Sequence, residues 1–297
     1  MQFLAKMIGY IVAAGFLLGV VITIGELIWY RLPSKEKGAY NKRIALITGA
    51  TGGLGRELAL RLDKKLRDID EYWLVGRREE RLSSAAKALG HQARCLPLDL
   101  RDEGSVDEIK ALLQKENARV GLILNCAGLG KIGSSADMPA EDIKAMLDVN
   151  VRAAVMLTEA GLPFMRGGDR IINVCSTAAF QPFQYLNVYA ASKAFLLRYS
   201  RALRTELLPR RIAVTAVCPY WIKDTEFIKK AKPEKRSGIR SFPLASKVSS
   251  VASLAVFGSG IGLPVVTPGV ISTLHRIFAS ILPDTAMQFI WEGLRRV

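Results

Sequence analysis

Tyr189 and Lys193 lie four residues apart in the segment Tyr189-Ala190-Ala191-Ser192-Lys193. On a helix that spacing puts a phenol and an ammonium one turn apart on one face. A phenol that titrates near pH ~10 is a poor acid-base catalyst at neutral pH, and a neighbouring cation stabilises the phenolate and lowers that value. Ser176 stands thirteen residues before Tyr189, at the end of an apolar run, where its hydroxyl can orient a substrate oxygen. The three groups suit proton transfer to or from an oxygen. His91 and His275 each lack the partners of a triad or a metal site, and Cys95, Cys126, Cys175 and Cys218 show no metal-ligand spacing. Each cysteine ends a strand-like run, so buried, reduced thiols and a reducing compartment are expected.

These groups need a scaffold, and from residue 42 apolar runs of strand length alternate with helical patterns. Strands are expected at Arg43 to Ile47, Tyr72 to Val75, Arg94 to Leu98, Leu122 to Leu124, Ile171 to Cys175, Val214 to Cys218 and Val265 to Thr267. Helices are expected at Leu54 to Leu66, Glu79 to Leu89, Ser105 to Lys115, Ala140 to Met165 and Tyr189 to Leu208. Uninterrupted apolar strands alternating with helices predict an α/β fold with a single doubly wound parallel sheet, a Rossmann fold, which binds ligands at the carboxyl edge of its strands.

Thr48-Gly49-Ala50-Thr51-Gly52-Gly53-Leu54-Gly55 joins the first strand to its helix. Glycines there let the backbone approach a pyrophosphate, and the helix N-terminus offers N–H groups to it, so dinucleotide binding is expected. The second strand ends Val75-Gly76-Arg77-Arg78, with glycine where a carboxylate would meet the ribose 2′-hydroxyl of NAD. Arg77, with Arg78, can instead hold a 2′-phosphate, which favours NADP(H). Asp99, at the end of the third strand, either accepts from the adenine amino group or is a plain turn acid.

The 297 residues are 50% hydrophobic and 23% charged, a composition that excludes disordered and disulfide-scaffold classes. The net charge is +15, which suggests an anionic partner. Residues 1–30 carry only Lys6 and Glu26 as charged groups, and 18 uncharged residues run from Ile8 to Gly25. This reads as an N-terminal transmembrane helix, since the run exceeds the apolar region of a signal peptide and no small-residue cleavage site follows. Trp29 and Tyr30 are placed at one interface. Arg31, Lys35, Lys37, Lys42 and Arg43 follow, and the positive-inside rule then makes a single-pass anchor with a cytoplasmic catalytic domain. Residues 31–41 read as a linker, 42–270 as the Rossmann domain and 271–297 as an amphipathic tail. Gly15 and Gly19 form a GxxxG face, and a homodimer or tetramer is admitted.

Thr48 to Gly55, Asn125-Cys126-Ala127-Gly128, Asn150, Ser176 and Tyr189 with Lys193 occur in the order and spacing that resemble the short-chain dehydrogenase/reductase family. The resemblance covers about residues 42 to 270. It implies that Tyr189 is the proton donor or acceptor, that Lys193 lowers its pKa and binds nicotinamide-ribose hydroxyls, that Ser176 polarises a carbonyl and that Asn150 holds a relay water. It also puts Thr48, Gly49, Gly53, Leu54, Gly55, Asn125 and Thr225 among the cofactor contacts. Two positions depart from the family pattern: Cys126 replaces an asparagine, and Pro219 is followed by Tyr220 where glycine is usual. The Pro-Tyr pair with an N-terminal span looks like the membrane-bound branch of 17β-hydroxysteroid dehydrogenases and 3-oxoacyl-CoA reductases. The implied activity is NADP(H)-dependent hydride transfer to or from a carbonyl or secondary alcohol on a lipophilic substrate. The alternative is a non-catalytic NADPH sensor or membrane scaffold of the same fold.

Residues 220–247, where the family has its substrate lid, hold eight basic and three acidic residues among Trp221, Phe227 and Phe242. Such a lid clamps an anionic, greasy substrate, rests on acidic lipid headgroups, or is a solvated helix face. The tail, split into two helices by Pro283, either enters the membrane interface, roofs a hydrophobic pocket or docks plainly on the domain. Membrane lipids are thus an expected partner. Nucleic acid is not, because no recognition motif accompanies the charge.

Overall fold

The computed structural model describes residues 2–30, 39–231 and 244–296. Seven parallel strands run β1 (Lys42–Thr48), β2 (Glu71–Val75), β3 (Gln92–Leu96), β4 (Ala118–Asn125), β5 (Arg170–Val174), β6 (Ala213–Val217) and β7 (Val265–Val266). Their spatial order is β3-β2-β1-β4-β5-β6-β7. The order reverses between β1 and β4, and the crevice outside their carboxyl ends is where such sheets hold ligands.

Helix α1 is Gln2–Trp29, α2 Gly53–Lys65, α3 Glu79–Ala86, α4 Gly104–Lys115, α5 Ala140–Leu147 and α6 Ala153–Gly161. They are followed by α7 (Asn187–Leu207), α8 (Phe227–Ala231), α9 (Val248–Gly260), α10 (Val270–Ile281) and α11 (Asp284–Leu294). Alternation along the strands sends Ile44, Leu46, Trp73 and Val75 into one core and Ala45, Ile47, Tyr72 and Leu74 into the other. Both faces are therefore covered, which is why the strands read as continuous apolar runs. Full burial of each large side chain stabilises the fold by about 1.5–3 kcal/mol. Helix α7 buries Tyr189, Ser192, Lys193, Leu196, Leu197, Ser200, Leu203, Arg204 and Leu207, a stripe at three- and four-residue spacing that carries both polar site residues onto the sheet.

Two expectations are corrected. The helix expected over Ala140 to Met165 is interrupted by a π-helical turn at Asp148–Arg152 and ends in a 3₁₀ turn at Leu162–Phe164. A π-turn inserts one residue per turn and re-aims its side chains, here turning Asn150 inward. The second concerns residues 1–30. Among the described residues no helix is long and apolar enough to cross a membrane, and the last turns of α1 are committed to protein. The Arg204 guanidinium is bound by Glu26 at 2.6 Å and lies over the Tyr30 ring at 4.7 Å. Trp29 donates its indole N–H to the Leu208 carbonyl at 2.9 Å, beneath the Arg211 guanidinium at 4.5 Å. Trp29 and Tyr30 therefore dock on the domain, where the sequence placed them at a lipid interface. The expected linker falls outside the described residues over 31–38, as does 232–243 of the lid with Phe242.

Candidate active site

The carboxyl ends of β1 and β4 are tied by Thr48, whose hydroxyl accepts from the backbone N–H groups of Cys126 and Ala127 at 3.1 Å each. Gly49 has φ +72°, and a Cβ there would lie 2.7 Å from the Ala127 nitrogen. At Gly55 a Cβ would meet the Gly49 carbonyl oxygen at 2.1 Å, and at Gly53 the Thr225 methyl at 2.7 Å. The turn is therefore drawn tight against β4, with α2 packed hard onto it, and N–H groups of its first turn open to the crevice.

That crevice is a cleft of about 560 Å³, within the range of cofactor and ligand sites. Gly49, Gly53, Leu54 and Gly55 line its middle with Thr225 packed on Gly53, Arg77, Arg78 and Asp99 line one end, and Ser176, Tyr189 and Lys193 the other. A pyrophosphate fits the glycine cradle, and a 2′-phosphate fits the arginine end. Asp99 is held by Arg101 at 2.6 Å, a hydrogen bond that, with Arg77 close by, keeps its carboxyl below the usual range. Thr48 lies beneath the cleft as the tie between strands.

Two further expected residues also sit beneath the cleft. Asn125 donates to Asn173 at 2.8 Å, to Thr158 at 3.0 Å and to the Ala154 carbonyl at 3.2 Å, joining β4 to β5 and α6. Asn150 donates to the Leu129 carbonyl at 2.8 Å and accepts from the Leu129 N–H at 2.9 Å, and it donates to Ser192 at 3.0 Å. It clamps the β4–α5 loop to α7 from its π-turn. A Cβ on Gly128 would lie 3.3 Å from Asn150 Oδ1 and 3.4 Å from Lys193 Nζ, so both reach the same spot in the loop.

Ser176 and Tyr189 are within hydrogen-bonding reach of one another. The Ser176 oxygen also accepts from the Ala178 N–H at 3.1 Å. Lys193 donates to the Val174 carbonyl at 2.9 Å, and its ammonium lies 5.8 Å from the centre of the Tyr189 ring. Burial pushes the Tyr189 phenol above its ordinary value, against the Ser176 hydrogen bond, and burial pulls Lys193 down. Burial is the largest influence on the phenol, and the cation expected to lower it is itself buried. Burial also pushes the Cys126 thiol, beside them in the cleft, up to about 12, so it is neutral and a poor nucleophile.

Two contacts made by the lid have no signal in the local sequence pattern. Phe227, at the start of α8, sits with its ring 5.6 Å from that of Tyr189, and only the missing side chain of Gly130 admits it, since a Cβ there would lie 2.9 Å from the Phe227 Cζ. Glu226 beside it pairs with Arg81 of α3 at 3.2 Å, across the cleft.

A family model for short chain dehydrogenases matches residues 43–236. The chain belongs to this family. As an oxidoreductase of the family it is 35% identical over 187 residues to the NADP-dependent 3-hydroxy acid dehydrogenase YdfG of Escherichia coli, covering 62% of this chain and 74% of that protein. It is 37% identical over 197 residues to sulfoacetaldehyde reductase 2 of Chromohalobacter salexigens, with the same coverage. A short-chain dehydrogenase from Sphingobium yanoikuyae solved with NADPH superposes with TM-score 0.67 at 27% identity, over 86% of this chain and 97% of that one. The corresponding Burkholderia cenocepacia protein with NADP gives 0.64 at 27% identity, over 77% and 96%. These relatives do not place the chain in the membrane-bound hydroxysteroid or 3-oxoacyl-CoA branch.

Proposed function

We propose that this short-chain dehydrogenase uses NADP(H) to interconvert a carbonyl and a secondary alcohol on a lipophilic substrate, of steroid or 3-oxoacyl type. The cofactor reading rests on Gly76 followed by Arg77 and Arg78 at the cleft end, and on the NADP-bound relatives. The observation that carries the substrate class is the wall facing Ser176 and Tyr189: Leu129, Phe183, Leu186, Tyr220, Trp221 and Phe227. A small acid of the kind named for the relatives would need a cation there, and Lys230 on the lid is engaged by Glu226. An apolar wall gains about 25 cal/mol per Å² of greasy substrate buried.

When bound, the reduced nicotinamide supplies hydride to the carbonyl carbon. Ser176 donates to the carbonyl oxygen and aims it at Tyr189. The buried phenol stays protonated at neutral pH, which suits a donor, and it passes its proton to the oxygen as charge develops there. Lys193, fixed by the Val174 carbonyl, places positive charge beside the phenolate that remains and offers donors to the ribose hydroxyls. Asn150 fixes the loop and α7 so that these groups keep their spacing, and it is the residue we assign to a relay water.

We infer membrane association as well, with the domain on the cytoplasmic side. In α1, Phe16, Leu17 and Val21 are exposed, and in α10 and α11 so are Val270, Ile281 and Phe289, the last 80% exposed. A lipid interface gives those residues an apolar partner. NADPH consumption by the full chain in mixed micelles, across steroids, 3-oxoacyl thioesters, 3-oxo acids and sulfoacetaldehyde, tests the substrate reading. Higher kcat/KM for the small acids overturns it.

A further inference from the structure

Three guanidinium groups line the adenosine end of the cleft: Arg77 and Arg78 after β2, and Arg81 in the first turn of α3. Arg81 is held by Glu226, a residue 145 positions away in sequence, at 3.2 Å, and the same carboxylate oxygen holds Lys230 of α8 at 2.5 Å, so it keeps a partner when Arg81 leaves it. Glu226 lies between Thr225, which packs on the glycine turn, and Phe227, which packs on Tyr189. The backbone of this segment is pinned at its far end, where the Ile132 N–H donates to the Ala231 carbonyl at 2.8 Å. A carboxylate from the lid thus reaches across the cleft to the basic cluster assigned to the 2′-phosphate.

Resting on the NADP(H) reading above, we propose that Arg81 is a further determinant of NADP preference and that Glu226 is an internal competitor for it, occupying the place of the cofactor's 2′-phosphate. The Arg81 and Glu226 side chains are 40% and 59% exposed, and so exposed an ion pair is weak enough to exchange. A phosphate monoester carries roughly −1.5 to −2 charge and three acceptor oxygens, so it displaces a single carboxylate from a guanidinium. NADH brings no such group to this end of the cleft and leaves the pair intact. Affinity for NADP(H) is therefore set by three arginines less the cost of breaking one lid contact, while affinity for NAD(H) involves neither.

Dissociation constants for NADPH and NADH, read from nicotinamide fluorescence on the full chain, test this without turnover. Both side chains are exposed, so the variants fold. Glu226→Gln is expected to tighten NADPH about two- to fivefold, the size of an exposed ion pair, and to leave NADH unchanged. Arg81→Gln is expected to weaken NADPH about fivefold or more with NADH unchanged. In the Arg81→Gln background, Glu226→Gln is expected to have no further effect on NADPH. The proposal is overturned if Glu226→Gln weakens NADPH, or shifts both cofactors alike in both backgrounds, which is a general field effect. It is also overturned if neither substitution changes a clear preference for NADPH. Equal wild-type affinity for the two cofactors instead refutes the NADP(H) reading itself.

Discussion

Arg204 has a side chain only 4% exposed. It donates through Nη1 to the Val214 carbonyl at 3.1 Å and through Nε to Glu26 at 2.8 Å, so its carboxylate comes from α1. Glu26→Gln removes that charge and leaves a buried guanidinium without a counter-ion. Breaking a buried pair from one side costs about 3–5 kcal/mol. The Glu26 side chain is 21% exposed, so water reaches the vacated place and we expect less than this, about 2–3 kcal/mol. For a domain of this size each kcal/mol is worth about 2–4 °C, giving a fall in Tm of about 4–12 °C. Deleting residues 1–30 removes the same carboxylate and the Tyr30 ring over Arg204, so it is expected to cost at least as much. Adding Arg204→Met to Glu26→Gln removes the stranded charge, and most of the loss is expected back. Thermal unfolding of the full chain and its variants in one detergent reads all of these. A fall under 1 °C for both Glu26→Gln and the deletion would refute the view that α1 is part of the domain's packing.

Two other outcomes follow from buried polar groups. His275 on α10 is packed among Phe180, Phe183 and Tyr220 and bonded to Gln181 at 2.7 Å, and burial holds it down at about 4. The unfolded chain protonates first, near pH ~6.5, so stability present above that value is lost as pH falls toward 4, by about 2 kcal/mol for a half-buried ring. The drop in Tm between pH 7 and 4.5 should shrink in His275→Gln, and an unchanged drop would refute this. Asn150→Ala strands both the N–H and the carbonyl of Leu129, at a cost of about 2–4 kcal/mol. A urea midpoint equal to that of the wild type would contradict the clamp.

What the sequence disclosed was whatever is local or periodic. The alternation of Ile44, Leu46 with Ala45, Ile47 was readable because a strand has a period of two, and each strand sits within two residues of its expected ends apart from β4, which begins four residues earlier. Tyr189 and Lys193 were readable because a helix fixes their separation. The π-turn was hidden, because Ala140 to Met165 keeps a helical apolar pattern through it and nothing in Asp148–Arg152 announces an extra residue per turn. Asn125 was expected toward the cofactor. Its strand position turns it instead to Asn173 and Thr158, partners 48 and 33 residues away that no local pattern reveals. Trp29 and Tyr30 resemble a lipid-interface pair in sequence, and only the distant Arg204 and Arg211 make them docking residues. Phe227 was noted as a lid aromatic, but its seat on Tyr189 depends on Gly130, 97 residues earlier.

The account turns on the phenol of Tyr189 as the proton donor. Tyr189→Phe keeps the ring that packs on Phe227 and removes the hydroxyl that Ser176 meets. Single-turnover NADPH oxidation with a good carbonyl substrate should slow by about 10²–10⁴-fold, while the NADPH dissociation constant stays within about twofold, since Lys193 and the glycine turn are untouched. Oxidation at the wild-type rate with NADPH bound as tightly would contradict it.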